Sequence, residues 1–156
     1  VGGKQTKTKK GVFTVGWRGK ITKFTETSDG RYQVNLEGIN RFKVKKVLDM
    51  KHKFIIIDGE ELNYNSNFKK QTSELSAKLL SNFKNYLNIK KIEFNTSEFE
   101  SLDALNLAKI ICVISPLDHL TKQMLLEFNN SDDLCENLIS VLEIEINNFG
   151  KSSKIN

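Results

Sequence analysis

The chain has 156 residues, 38% hydrophobic and 28% charged, with 24 Lys+Arg against 19 Asp+Glu and a formal net charge of +5. That balance excludes a disordered chain, and the length suits one domain or two very small lobes. The longest strongly apolar run, Ile110 to Ile114, is far short of the roughly 20 residues that span a bilayer, so a transmembrane protein is excluded.

The charge is unevenly placed. Residues 1–58 carry 14 Lys/Arg against 5 Asp/Glu, net +9, and residues 59–156 carry 10 against 14, net −4. A basic half can mark a surface for nucleic acid or an acidic partner. Only Arg18, Arg31 and Arg41 are arginines, however, and Lys, Asn and Ile share AT-rich codons, which favours lysine drift on a solvated surface. The N-terminus is polar and lacks the apolar stretch of a signal peptide, and a cytoplasmic location is expected. It starts at Val1 rather than Met, as in a fragment of a longer chain.

The first half reads as strands. Val12 to Ile21 is β-rich and broken by Gly16 and Gly19, and Ser28-Asp29-Gly30 signals a turn. Tyr32, Val34 and Leu36 then alternate with polar residues until Gly38, which reads as a break. Phe42 and Val44 resume the alternation, and Phe54 to Ile57 forms a further short strand ending at Asp58-Gly59.

The second half reads as helices. Leu75, Leu79, Phe83, Tyr86 and Leu87 share one helical face. Ser97 and Glu100 fit a capping box ahead of Leu102, and Leu105 to Ile114 is apolar almost all round, as in a buried central helix. Ser115-Pro116 ends it, because the residue before proline avoids the α region. A short helix runs through Gln123 to Glu127. Ser131 with Asp132 and Asp133 suits the start of a last helix, whose stripe of Leu134, Leu138, Val141, Leu142, Ile146 and Phe149 ends at Gly150. The expected fold is α+β: a bent β-sheet or small β-barrel lobe over 1–62, a connection at 63–70, a helical bundle over 71–150 and a polar tail at 151–156.

Chemistry-bearing motifs are scarce. No glycine-rich phosphate loop, nucleophile elbow or metal-ligand spacing occurs, and His52 and His119 stand alone. His119, beside Asp118 and after Pro116, reads as a helix start. Cys112 and Cys135 sit in apolar helical settings and read as inert, buried small hydrophobes. No catalytic, metal or cofactor-binding residue is expected, and an enzyme is not supported; a hydrolase would need a site assembled only by folding. Lys7, Lys9, Lys10, Arg18, Lys20 and Lys23 interleave with Phe13, Trp17 and Phe24, the pattern of a nucleic-acid surface in which cations track phosphates and rings stack bases. The competing reading has Phe13 and Trp17 facing a core and the lysines on the wet face.

Three strand motifs are distinctive: Val15-Gly16-Trp17-Arg18-Gly19-Lys20-Ile21, Asp29-Gly30-Arg31-Tyr32, and Gly38-Ile39-Asn40-Arg41-Phe42-Lys43-Val44. With Lys122-Gln123-Met124-Leu125-Leu126-Glu127 in the second half, they resemble the N-terminal domain of Lon proteases over residues 12–148. The resemblance is nearest to stand-alone bacterial proteins built from that domain. The signature positions are Gly16, Gly19, Asp29, Gly30, Arg31, Tyr32, Gly38, Arg41, Phe42, Gln123 and Leu126, and a structural role is expected for them. The family usually begins with two further strands, a Phe-Pro-Gly and a Glu-x-Arg-Tyr segment, so this β lobe is expected to be incomplete. The family's Arg before the last helix is missing from Asp132-Asp133-Leu134-Cys135-Glu136. The resemblance implies a non-enzymatic protein-binding domain for unfolded or degradation-marked polypeptides or a protease partner. An apolar groove or an unpaired strand edge would take an extended peptide. The alternative is a nucleic-acid-binding module on the basic β half.

Overall fold

The computed structural model describes residues 11–48, 54–65 and 72–152. The chain divides into two compact units, Val1–Asn63 and Tyr64–Asn156. His52, Lys7, Lys9, Lys10 and most of the expected connection lie outside the described residues.

The first unit holds an antiparallel sheet of β1 (Val15–Glu26), β2 (Tyr32–Val47) and β3 (Ile57–Glu61), in the order β1-β2-β3. The first two form a long ribbon closed at Thr27–Arg31. Gly30 takes φ +78° there, and its N–H donates to the Thr27 carbonyl at 2.9 Å. Two register shifts interrupt the ribbon, between Arg18 and Gly19 and between Ile21 and Lys23. Gly38 does not end the strand, contrary to the expected break: β2, 16 residues in all, runs through it to Val47. A Cβ on Gly38 would stand 2.8 Å from the Trp17 indole nitrogen, so the glycine lets the indole approach the backbone. The strand expected at Phe54 to Ile57 is displaced as well. It starts at Ile57, and Gly59 pairs with Val44 inside it, because a Cβ there would meet the Lys43 carbonyl oxygen at 2.8 Å. Phe54 and Ile55 lie outside the strand and are exposed.

The second unit is helical: α1 (Thr72–Lys90), a 3-10 turn at Ser97–Phe99, α2 (Ala104–Ile114), α3 (His119–Leu126) and α4 (Ser131–Ser152). Lys91 closes α1 at φ 55°, where the Ile92 N–H returns to the Leu87 carbonyl at 2.9 Å. The capping box at Ser97 and Glu100 does not form. Phe99 packs toward Phe83 and Phe94, the segment becomes a single 3-10 turn, and Asp103 caps α2 by accepting from the Asn106 N–H at 3.0 Å. Asp118 caps α3 in the same way, through the Leu120 and Thr121 N–H groups, which makes His119 the first residue of a helix. α4 starts at Ser131, as expected, and Asn130 just ahead of it supplies a cap, its side-chain oxygen accepting from the Asp132 N–H at 2.8 Å. The helix passes through Gly150 to Ser152 instead of ending there.

Leu79, Phe83 and Tyr86 of α1, Leu107 and Ile111 of α2, Leu125 of α3, and Leu134, Leu138 and Leu142 of α4 form one closed core. α2 is buried on one side only. Ala104, Leu107, Ala108 and Ile111 face inward, whereas Val113 is 75% exposed, so the expected all-round burial is not found. No helix is long and apolar enough among the described residues to cross a membrane.

Candidate functional site

The ribbon's two faces differ sharply in chemistry. Residues paired directly across an antiparallel ladder put their side chains on the same side. The pairs Ile21–Leu36, Phe24–Val34 and Glu26–Tyr32 therefore share a face with the Trp17–Arg41 pair, separated from it by Gly19–Gly38. The intervening register shift carries Phe24 onto the Ile21 side, and the Phe24 and Tyr32 rings stack with centroids 4.9 Å apart.

Trp17, Ile21, Phe24, Tyr32, Val34 and Leu36 thus form one apolar face, and each is between 41% and 72% exposed. Water-exposed aromatic and aliphatic groups at this density make the face a candidate interaction surface, since scattered apolar residues are ordinary but contiguous ones are costly. The opposite face holds the pairs Arg18–Asn40, Lys20–Glu37, Lys23–Asn35 and Thr25–Gln33. The cations and rings that interleave in sequence are therefore separated by the sheet itself. A nucleic-acid strand could not stack its bases on Trp17 and Phe24 while its phosphates met Lys20 and Lys23.

The signature residues are spread over the fold. Gly16 lies beneath the Phe42 ring, where a Cβ would approach to 2.7 Å, and Gly19 lies against the Glu37 carbonyl. Asp29 accepts from Arg31 Nε at 2.7 Å and from the Thr27 hydroxyl, and the Arg31 guanidinium, with that hydroxyl, holds its carboxyl below the usual range. Tyr32 belongs to the apolar face, and Arg41 is buried. In the other unit Gln123 donates to Glu127 at 2.9 Å, and Leu125, the neighbour of Leu126, is the residue that α3 fully buries. The structure brings Gly19, Tyr32, Gly38 and Arg41 to the ribbon's apolar face. The side chains that fill the face, Ile21, Phe24, Val34 and Leu36, were not singled out as a binding set by sequence. Their signal is the Tyr32, Val34, Leu36 alternation.

The nucleophiles are muted. Burial pushes both thiols up to about 12, and the Cys135 thiol donates to the Ala104 carbonyl at 3.4 Å. His119 is exposed, and among the described residues no group of three His, Cys, Asp or Glu side chains is placed to hold a metal ion. The helical unit has an open groove of about 730 Å³ between α1 and the segment leading into α2. Its floor is Ala77, Leu80, Phe99 and Leu102, and the Lys84–Glu100 ion pair at 3.0 Å lies along its wall.

Residues 2–143 match the family described as the substrate-binding domain of the ATP-dependent protease La (LON). The chain belongs to this Lon substrate-binding domain family. Among curated relatives, the Lon protease of Buchnera aphidicola subsp. Baizongia pistaciae is 31% identical over 142 residues, covering 86% of this chain and 18% of that protein. The Lon protease of Buchnera aphidicola subsp. Acyrthosiphon pisum is 29% identical over 151 residues, covering 92% and 19%. The chain thus spans about a fifth of the length of these relatives. The N-terminal domain of Mycobacterium avium complex Lon protease shares the fold with a TM-score of 0.60 at 17% identity, covering 83% of this chain and 70% of that one. The Lon N-terminal domain protein of Xanthomonas campestris does so with a TM-score of 0.56 at 16% identity, covering 81% and 67%. The Lon N-domain fold, a sheet followed by helices, is the α+β order read from the sequence.

Proposed function

We propose that this Lon-type domain binds unfolded or degradation-marked polypeptides through the apolar face of its β1–β2 ribbon, as a non-catalytic recognition element linked to proteolysis in the cytoplasm. The observation that carries this reading is the set of six large apolar side chains standing open on one side of a ribbon whose other side is polar. The family's description as a substrate-binding domain supports it. A flat apolar face has no pocket to select one sequence, and the hydrophobic effect is non-directional. Such a face selects any chain that displays apolar side chains to water, which is what distinguishes unfolded from folded proteins. Release of water from the face supplies the affinity, so binding changes little with salt, unlike phosphate-driven binding.

The test is fluorescence anisotropy with a labelled, reduced and carboxymethylated polypeptide. Saturable binding is expected, nearly constant between low and moderate salt. The double variant Ile21→Ser, Leu36→Ser should weaken it about tenfold, on the scale of two lost apolar contacts. Lys20→Glu with Lys23→Glu, on the polar face, should leave it within about twofold. Loss of binding in the lysine variant and not in the apolar one would overturn the reading. Tight, steeply salt-dependent binding to single-stranded RNA or DNA in its place would favour the nucleic-acid alternative.

A further inference from the structure

We infer that the groove along α1 is a second polypeptide site, which takes extended segments whose apolar residues are flanked by lysine or arginine. It lies wholly in the helical unit. It adds to the proposed polypeptide binding a site with a selection of its own, so the two readings can fail separately.

The first observation is the groove's length. After Lys91 the chain turns back beside α1, and Glu100 reaches Lys84 at 3.0 Å. The hollow of about 730 Å³ lies toward the N-terminal end of α1 from Lys84. A further hollow of about 490 Å³, lined by Leu87, Ile92 and Phe94, lies toward its C-terminal end. Lys84 borders both, and the Phe94 and Phe99 rings, with centroids 5.5 Å apart, carry apolar surface from one to the other. From Ser73 to Asn88 the helix wall is about 22 Å long, the span of about seven residues of extended chain.

The second observation is charge. The returning segment, 92–103, carries Glu93, Glu98, Glu100 and Asp103 and no lysine or arginine. Glu93, Glu100 and Asp103 line the groove, and the lining cation among the described residues is Lys84, which Glu100 already engages. The surplus is negative in each hollow, Asp103 in one and Glu93 in the other. A segment with an apolar middle and a cation toward each end complements that pattern. A phosphate backbone is repelled by it, so nucleic acid does not fit.

The third is the polar lining. Ser73, Ser81 and Ser101 stand exposed along the groove, and the Lys84–Glu100 pair sets a donor and an acceptor midway. Such groups serve a main chain whose N–H and C=O are unpaired. An extended segment has them to offer, whereas a helix has used its own internally.

The test is fluorescence anisotropy of the whole chain with two labelled peptides that share a short leucine core, one flanked by lysines and the other by glutamates. The lysine-flanked peptide should bind, and the other should bind at least about tenfold more weakly, the gap narrowing as salt rises. Ala77→Phe, which fills the groove from an exposed position, should weaken the lysine-flanked peptide at least about fivefold. Glu93→Lys with Glu100→Lys should reverse the preference between the peptides. Ile21→Ser with Leu36→Ser, on the ribbon, should leave it within about twofold. Far-UV circular dichroism of each variant confirms that the helices are intact, and the wild-type preference reads the charge selection without any variant. Equal binding of the two peptides, binding of neither, or binding indifferent to Ala77 and to the two glutamates overturns the inference. Lysine-flanked peptide lost in the ribbon variant and retained in the groove variants also overturns it, and leaves the proposed function standing. Groove binding that persists while the carboxymethylated polypeptide fails to bind supports this inference and removes the ribbon reading.

Discussion

The two units spend similar side chains in opposite ways. In the helical unit, phenylalanine, tyrosine and leucine from four helices disappear into one core. In the β unit, only Val15 and Val44 are buried hydrophobics among the described residues, while its larger apolar groups stand in water. Burial of apolar area stabilises a fold, and exposure of the same area makes a binding surface. The helical unit therefore closes a core of its own, and the ribbon holds its ladder by backbone hydrogen bonds with its apolar face open to water.

The largest effect expected from this contrast is in core truncation. Phe83→Ala or Leu107→Ala should cost about 3–5 kcal/mol, because each removes a fully enclosed side chain and leaves a cavity. Leu36→Ala, at 72% exposure, should cost no more than about 0.5 kcal/mol. Urea titration followed by circular dichroism at 222 nm measures the first directly. Trp17 fluorescence, which reports the ribbon, measures the second. A ribbon truncation as costly as a core truncation would mean that the apolar face is covered in the folded monomer, and would break the comparison.

Within the ribbon, the glycines separate backbone contact from side-chain contact. A methyl group on Gly59 would press on the Lys43 carbonyl oxygen, which is part of the ladder and cannot turn aside. Gly59→Ala should therefore destabilise the sheet by about 1–3 kcal/mol. A methyl group on Gly38 meets only the edge of the Trp17 indole, which can swing into water. Gly38→Ala should leave stability nearly unchanged and alter tryptophan emission and quenching by iodide. Equal costs at the two positions would mean that the indole is as fixed as the backbone.

These glycines also show where reading the sequence succeeds and fails. The strands, the helices and their order are legible because alternation and helical spacing are local. Gly38 and Gly59 read as breaks because the indole and the carbonyl that approach them come from residues distant in sequence. The apolar face was half legible. Tyr32, Val34 and Leu36 alternate cleanly on β2, but strict alternation on β1 puts Phe24 with Lys20 and Arg18. The register shift between Ile21 and Lys23, which resets the count, has no glycine or proline to announce it. Alternation also tells which residues share a face and never whether anything covers it. In the helical unit, Ser97 and Glu100 satisfy the capping pattern, yet the packing of Phe99 decides the turn and hands the cap to Asp103.

The smallest expected effect sharpens the comparison from the electrostatic side. Asp103 has its pKa lowered, chiefly by the Asn106 backbone N–H and also by the Asn106 side chain, against the opposing pull of partial burial. Asp118 is lowered by the Thr121 hydroxyl and N–H, and Asp29, at the ribbon tip, by Arg31. A carboxylate whose pKa is depressed on folding contributes stability that is fully present above its unfolded value, 3.8, and is lost as pH falls through the lower folded value. Both units should thus hold these contributions at neutral pH and shed them only below about pH 4. Asp103→Ala should cost about 1 kcal/mol at pH 7, the worth of an N-cap, and progressively less as pH falls through the lowered folded value. Asp103→Asn keeps an oxygen acceptor and should retain most of the stability at neutral pH while losing the acid dependence. The ribbon responds separately, because Asp29→Ala touches only the exposed turn: its signal should appear in Trp17 fluorescence and not in the helical transition. An Asp29→Ala variant that shifted the helical midpoint as far as Asp103→Ala does would show that the two units unfold as one, and the stability assigned here to the helices would then belong to the whole chain.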